Sequence, residues 1–459
     1  MGRKWALGAI ALGCVLTGGD AGAFKPNEPG HLGITSDALT PIQRTAGGTT
    51  YQFSERALMQ IRDANRNTDI VTFFGVAEHF DDEAFRDSST RLVNLKASVI
   101  SEITAATPNG IGARQDLGTA LHTVQDFYAH SNWVELGRTT IEARLGRQVF
   151  DGPTLQVQTC PSSPGTLAGQ GRRVATTGYF PFPDPCAGPP DGTPQGKCRH
   201  GLEFFCPEGL NKDAPGRSGF PSARGLAVTA SRDYVNQILD DPRVAGNARA
   251  LAALMDTGTP SGSVVILAGS LVDGVRDLPV PIDATIDEVT FTVSLENMRK
   301  FDIIDPSGKK VLKKTGTVIR IVDPAPGGWR VRLDGSGRYA LNARAVSPLE
   351  IDKFGFVTFR GRLGHEGLGL VTTRPIGGAT QVGLAGLIGR FESASFFLVD
   401  TNGAPIGSVP LDPGDVNAAI GEFVGGFKIP SKPFRVGVKG TDAAGFAYQR
   451  VLASVFQPQ

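Results

Sequence analysis

Three side chains that bind metal ions well recur at four-residue intervals in one stretch of the chain. His122, Asp126 and His130 lie within residues 117–135, which contain no proline and, after the second residue, no glycine. This stretch predicts a helix, in which a step of four residues turns a side chain by only about 40°. Two imidazoles and a carboxylate that share one helix face are ligands that suit a borderline divalent cation, Zn²⁺ first.

Other metal-binding side chains cluster in the same half of the chain. Five of its six histidines lie between residues 31 and 200, which favours a shared site over scattered polar positions. The candidate ligands are His31, Asp69, His79, His122, Asp126, His130 and His200. Seven ligands exceed what one tetrahedral zinc needs, so they predict two or three Zn²⁺ ions with Asp126 as a bridge. Such ions clamp phosphate esters and activate a bound water, on which Asp69 could also act as general base.

Each candidate ligand also has an interpretation without a metal. His31 could cap a helix, and Asp69 falls in a polar stretch, residues 65–69, that is typical of a turn. His79 could pair only with nearby carboxylates, and His200 lies beside a cysteine expected to form a disulfide. Asp81 favours a helix start, or could orient a ligand histidine from behind.

Charge and length limit the classes of function. The 459-residue chain has a formal net charge of +1 and shows no stripe of aromatic and basic residues, which argues against nucleic acid as a ligand. Its length predicts several domains. No stretch beyond the N-terminus is long and apolar enough for a transmembrane helix, so the sequence predicts no transmembrane anchor.

The first 23 residues have the features of a secretory signal peptide. Arg3 and Lys4 precede a short apolar run, and the small residues at 21–23 fit signal peptidase, which would leave Phe24 as the mature N-terminus. The protein is therefore expected to be secreted or periplasmic. Lipid attachment at Cys14 is the alternative, although Ala11 occupies a position where lipoproteins usually have a larger aliphatic residue.

Four cysteines remain in the mature chain, and all lie in one proline-rich segment. They are Cys160, Cys186, Cys198 and Cys206. In an exported chain they predict two disulfides, with three possible pairings. A zinc site built from all four cysteines is the alternative, which their irregular spacing disfavours.

The period of the apolar residues changes along the chain. Residues 24–257 predict a mostly helical domain, interrupted at 150–220 by the disulfide-pinned loop. Its expected helices cover residues 31–39, 54–65, 84–106, 117–135, 139–145, 222–239 and 244–255. From residue 258 the alternation has period two, which predicts two immunoglobulin-like β-sandwich domains over 258–350 and 351–459.

The candidate ligands also carry a resemblance to a known family. His31, His79 and the Leu-His-x-x-x-Asp segment that ends at Asp126 resemble the zinc-dependent phospholipase C group, which includes single-strand nucleases. Asp69 would stand for an aspartate that the group has upstream of its second histidine. The closer resemblance is to the HET-C branch of this group. It is carried by motifs at residues 79–85, 120–136, 197–201 and 210–213.

The resemblance implies an all-helical domain with a three-zinc cluster. The mature N-terminal residue, here Phe24, would contribute its amine and carbonyl as ligands. Phe204 stands where the group has a ligand glutamate, and no histidine lies at residues 220–223, so two ions remain an alternative to three.

Three functions follow from the resemblance. The first is an exported phosphoesterase that hydrolyses phospholipid head groups in the manner of phospholipase C, with the β-sandwiches presenting it to a membrane surface. The second is a HET-C-type recognition, toxicity or interaction protein without catalysis, in which zinc is structural. The third is a zinc-dependent single-strand nuclease. A coordination position open to solvent would favour the first over the second.

The β-rich tail has a resemblance of its own. Residues 301–442 resemble sandwiches that accompany the helical domain in larger animal proteins, which carry a von Willebrand A domain in between. No Asp-x-Ser-x-Ser motif precedes residue 262, so the sequence predicts that this intervening domain is absent here.

Overall fold

The computed structural model describes most of the chain after the predicted signal peptide. The described residues are 30–72, 75–182, 184–189, 191–202, 206–256, 258, 261–312, 317–361, 366–413 and 421–459. The predicted cleavage site, Cys14, Phe24 and Phe204 lie outside them. Within these ranges no helix combines the length and the hydropathy that a membrane span requires.

The first half of the described chain contains six α-helices. They are α1 (His31–Leu39), α2 (Glu55–Val71), α3 (Phe85–Thr104), α4 (Gly110–His130), α5 (Phe220–Leu239) and α6 (Ala248–Met255). Helix α4 is central, because it packs against each of the other five. Asn109 caps its first turn by accepting a hydrogen bond from the Gly112 N–H, and Ser54 caps α2 through the Ala57 N–H.

The helical part is mixed rather than all-α, so this element of the predicted fold class is wrong. A hairpin of β1 (Gln43–Ala46) and β2 (Thr49–Gln52) follows α1, and residues 139–145 form turns instead of a helix. Gly47 and Gly48 join the two strands with φ of 58° and 80°. These are left-handed conformations that favour glycine in a tight hairpin turn.

Two helices, α2 and α4, end several residues away from the predicted positions. Helix α4 ends at His130 instead of residue 135, because the backbone of Ser131 is extended. The Asn132 side chain then donates to the Gly171 carbonyl and accepts from the Thr176 N–H of the following loop. Helix α2 continues to Val71 through the polar stretch that predicted a turn. Its polar residues make buried contacts, which local sequence cannot distinguish from the solvation of a turn.

The proline-rich loop is cross-linked as predicted. Its two disulfides are Cys160–Cys198 and Cys186–Cys206, which leaves no cysteine of this loop for a four-cysteine zinc site. Disulfides persist in oxidising compartments, so they indicate an extracytoplasmic protein.

The second half of the chain consists of antiparallel strands. They are β3 (Ser261–Ile282), β4 (Glu288–Ile304), β5 (Lys310–Leu312), β6 (Val318–Val322), β7 (Gly327–Val346), β8 (Glu350–Arg360), β9 (Gly367–Leu370), β10 (Thr380–Ile388), β11 (Phe391–Asp400), β12 (Pro405–Val409), β13 (Asp412–Pro413), β14 (Glu422–Lys428), β15 (Phe434–Asp442) and β16 (Ala447–Val451). One sheet has the order β13-β14-β10-β8-β9. The other has the order β12-β11-β15-β16-β3-β7-β4-β5, with β6 also paired to β4.

The prediction of two separate immunoglobulin-like sandwiches is also wrong. Strand β16 pairs with β3 at Val451 and Ser263, so one sheet runs through both predicted domains. Two apolar cores nevertheless form on it. In the first, the long strands fold back so that the rings of Phe291 and Trp329 lie 6.3 Å apart. The alternation of apolar and polar residues predicts which side chains of a strand are buried. It does not predict which strands pair, because pairing depends on contacts between residues far apart in sequence.

Candidate metal centre

The seven predicted ligands meet in the middle of the helical part. His31 opens α1, Asp69 lies near the end of α2, His79 lies in the segment before α3, and His200 lies in the cross-linked loop. The other three, His122, Asp126 and His130, lie on α4. The side chains of all seven are fully buried. Five segments of the chain therefore converge on one buried cluster.

One half of the cluster surrounds Oδ2 of Asp126. This oxygen lies 2.9 Å from His79 Nδ1 and 3.0 Å from His122 Nε2, and the two nitrogens are 3.0 Å apart. Asp69 Oδ1 lies 3.8 Å from the His79 nitrogen and 3.6 Å from that of His122. Ligands about 2 Å from one tetrahedral zinc stand about 3.3 Å from each other. The four side chains therefore have spacings that fit one ion.

The other half of the cluster surrounds Oδ1 of Asp126. This oxygen lies 3.1 Å from His31 Nε2 and 3.9 Å from His130 Nε2. Asp213 lies beyond them, with Oδ1 3.2 Å from His130 Nε2 and Oδ2 3.7 Å from His200 Nε2. The two carboxylate oxygens of Asp126 thus face different sets of nitrogens, which is the arrangement of a carboxylate that bridges two ions.

The orientations of four imidazoles agree with metal ligation. In each, Nδ1 lies within hydrogen-bonding distance of a carbonyl oxygen, which can only accept. For His31 and His122 the oxygens belong to the side chains of Gln125, at 2.7 Å, and Asn65, at 3.1 Å. For His130 and His200 they are the backbone oxygens of His79, at 2.8 Å, and Gly201, at 2.6 Å. When such a ring is neutral, its Nε2 carries the lone pair. These lone pairs point toward Asp126 or Asp213, where a cation would bind.

An amide network behind the cluster keeps two of these rings in place. Gln125 Nε2 donates to the hydroxyls of Thr35 and Ser231, which leaves its oxygen to accept from His31. Asn65 Nδ2 donates to Thr35, which leaves its oxygen for His122. Each amide therefore has one orientation that satisfies its neighbours, and that orientation holds Nε2 of both rings toward the carboxylates.

Replacing Asn65 with leucine should weaken zinc binding without removing a ligand. Leucine has a similar volume but accepts no hydrogen bond, so the His122 ring loses the partner that selects its tautomer. Loss of such a partner typically weakens metal binding by about 10- to 100-fold. Competition with a chromophoric chelator measures the affinity, and Asn236→Leu on α5 serves as the control. Equal zinc affinity of Asn65→Leu and the control would contradict this role.

Charge in the cluster is strongly coupled. Burial alone would raise the pKa of Asp126, but the neighbouring His122, His130 and His31 hold it well below its usual range. Burial lowers the pKa of His122 to about 4, and the charge of His31 adds to this effect while Asp126 opposes it. His122 is thus neutral near pH 7 and available as a ligand.

The structure adds two carboxylates to the predicted set. Asp213 faces His130 and His200 as described above, and Asp81 Oδ1 lies 3.1 Å from His130 Nδ1. Asp81 lies behind the ring, the position considered for it from the sequence. The sequence indicates Asp213 only as part of the motif at residues 210–213, because nothing in its local pattern separates a metal-facing aspartate from a turn aspartate.

Comparison with known proteins relates the helical part to one group. Residues 34–248 match the family model of the VWA7 N-terminal domain. The von Willebrand factor A domain-containing protein 7 of Mus musculus is 33% identical over 181 residues, which cover 36% of this chain and 19% of that protein. Its Homo sapiens counterpart is 35% identical over 173 residues, which cover 34% of this chain and 18% of that protein. The chain thus spans less than a fifth of the length of these relatives.

Solved structures add little to this comparison. Bacillus licheniformis lipase BlEst2 in its propeptide form is 14% identical, and the match covers 46% of this chain and 49% of that chain with a TM-score of 0.22. A DUF4785 family protein from Legionella pneumophila is 11% identical. The match covers 43% of this chain and 65% of that chain with a TM-score of 0.24. Such low scores bear on neither the fold nor the function.

The predicted resemblance to the HET-C branch of the zinc-dependent phospholipase C and nuclease group is therefore wrong. The family model and the relatives are those of VWA7 proteins, and they give no support to phospholipase C-like hydrolysis, HET-C-type recognition or toxicity, or nuclease activity. The His-x-x-x-Asp spacing places two metal-binding side chains on one helix face, and it can occur in unrelated families. The general-base role of Asp69 depended on the phosphoesterase and loses its basis, while its place beside the histidines stands. Residues 34–248, which carry every member of the histidine and aspartate cluster except His31, are similar to the N-terminal domain of VWA7 proteins.

Proposed function

We propose that this protein is an extracytoplasmic metal-binding protein whose helical part holds two Zn²⁺ ions in a buried centre. The observation that carries the proposal is the shared orientation of four imidazoles, each with Nδ1 on a carbonyl oxygen and Nε2 toward a carboxylate. When the rings are neutral, these lone pairs repel the carboxylate oxygens that they face. A divalent cation between them removes that repulsion.

We assign the proposed ligands to two positions by their distances from the two oxygens of Asp126. His79, His122 and Asp69 would hold one ion with Oδ2 of Asp126. His130, His200 and Asp213 would hold the other with Oδ1 of Asp126, and His31 adjoins the same oxygen. The proposed ligands lie on five segments that are far apart in sequence, so the ions would tie these segments together and stabilise the fold.

Metal content tests this proposal directly. Protein that starts at Phe24 should contain two zinc ions per chain by elemental analysis after dialysis against trace zinc. His79→Ala should lower the content, while Asn236→Leu on α5, the control used above, should not. Zinc-free protein after exposure to equimolar zinc at pH 7.5 would refute the proposal.

The N-terminal features support a more specific location than the disulfides alone. We propose cleavage before Phe24 and release into the periplasm or medium. The mass of the N-terminal peptide from protein exported by a bacterial host should correspond to a chain that begins at Phe24. A peptide that begins at Cys14 with an added lipid mass would instead identify an anchored lipoprotein.

A further inference from the structure

Helix α2 presents a charged stripe to the β part of the molecule. Residues 56, 59, 63, 66 and 70 recur at intervals of three and four, so they share one helix face. Arg66 donates from Nη1 to Oε2 of Glu422 at 2.9 Å and from Nη2 to Oε1 at 3.2 Å. Lys353 on β8 donates to Asp63 of this stripe at 2.6 Å and to Glu422 at 2.5 Å. Two cations and two carboxylates thus interlock at this junction.

The pairs at this junction are unlike exposed surface pairs. Arg66 and Glu422 are buried, with 7% and 6% of their surfaces exposed. Burial opposes the charged form of Glu422, yet Arg66 and Lys353 outweigh it and hold its pKa well below the usual range. Removing one partner of such a pair leaves a buried charge uncompensated, so the junction depends on its geometry.

Glycines bring the β-strands close to the same helix face. A Cβ added to Gly386 of β10 would lie 2.7 Å from the sulfur of Met59, and one added to Gly369 of β9 would lie 2.6 Å from Cγ2 of Ile70. A side chain at either position would have to displace these neighbours of α2. Helix and sheet therefore meet in one closely fitted arrangement.

A neighbouring face of α2 contributes to the metal centre. Asp69 is one of the proposed ligands, and Asn65 accepts the hydrogen bond of His122 Nδ1 at 3.1 Å. Asp69 follows Arg66 by three residues, which is less than one helical turn. A shift of α2 along or about its axis would therefore disturb both the centre and the junction with Glu422.

We propose that metal binding in the helical part and attachment of the β part are thermodynamically coupled through α2. The inference rests on the proposed function. Zinc at the centre fixes α2 in the position that Glu422 and Lys353 need, and the docked strands hold Asp69 and Asn65 where the metal needs them. Because coupling between two sites is reciprocal, each event strengthens the other by the same factor.

Zinc affinity of junction variants tests this coupling. In the full mature chain, Glu422→Gln should bind zinc at least about fivefold more weakly than the unaltered protein, the lower end of typical couplings. Glu288→Gln is the matched control, because Glu288 of β4 pairs with Arg320 of β6. Its affinity should equal that of the unaltered protein.

Hydrogen exchange of the unaltered protein tests the reciprocal effect and requires no variant to fold. Zinc should slow amide exchange by at least about fivefold in residues 422–428 of β14, and leave strand β12 unchanged. Equal affinities of Glu422→Gln and Glu288→Gln, together with zinc-independent exchange in β14, would overturn the coupling while the metal centre stands. Failure of the unaltered protein to bind zinc would overturn both proposals.

Discussion

Replacing Asp126 with asparagine should remove zinc from both positions of the centre. The two oxygens of Asp126 face separate groups of histidines, His79 with His122 and His31 with His130. An amide has one oxygen and no charge, so at most one group would keep its ligand. We expect zinc content to fall from the proposed two ions per chain to fewer than one in elemental analysis, because the centre loses the carboxylate whose two oxygens face both groups of histidines.

The same substitution should abolish the stabilisation that we expect from the proposed zinc ions. At free zinc one thousand times the dissociation constant, binding to the native state alone stabilises it by about 4 kcal/mol per site. Unfolding in urea with zinc and with chelator should therefore differ by at least this amount for the unaltered protein, and by far less for Asp126→Asn. Asp233→Asn, on α5 and paired with Arg147, tests the effect of the same change outside the cluster. A chelator-insensitive unaltered protein would argue against a metal centre that stabilises the fold.

Removing the Cys160–Cys198 disulfide by serine substitution should destabilise the protein and release one of the two proposed ions. The bridge closes a loop with a sequence separation of 38. In the chain-entropy treatment a loop of this size contributes about 4 kcal/mol. Cys198 lies two residues before His200, whose ring meets that of His130 at a centroid distance of 4.3 Å. Without the bridge, ordering His200 would cost conformational entropy that the metal must offset.

The second disulfide supplies the comparison. The serine variant of Cys186 and Cys206 opens a loop with a separation of 20, so it should lose a comparable amount of stability, about 3 kcal/mol. Both of its cysteines lie farther from His200 along the chain than Cys198 does, so we expect it to keep more zinc. Urea unfolding and elemental analysis of both variants measure the two effects. Full zinc content in the Cys160 and Cys198 variant would show that the loop holds His200 in place without the bridge.

Several features of the site could be predicted because they depend on neighbours in sequence. The four-residue spacing of His122, Asp126 and His130 defines a helix face wherever a helix forms. The number of disulfides follows from four cysteines in an exported chain. The family did not follow in the same way, because these motifs describe chemistry that many folds need. The comparison with VWA7 proteins depends instead on similarity along residues 34–248.

The polar stretch at residues 65–69 shows why other features could not be predicted. Locally it has the composition of a turn, yet it is helical, since Asn65 and Asp69 face the centre while Arg66 faces Glu422. Both surroundings are built by chain segments distant in sequence. A pattern in one segment cannot show whether a polar side chain meets water, another ligand or a buried counter-ion.

By itself, then, the sequence determined which side chains could bind a metal, that export and two disulfides were to be expected, and where helical periodicity changes to that of strands. Each of these depends on residue type and short spacing. Only the tertiary structure decided the cysteine pairings, the position of Asp213 beside His200, the sheet that runs through both predicted sandwiches, and the second face of α2. These depend on contacts between residues far apart in the chain, which are selected by packing and burial of the whole molecule.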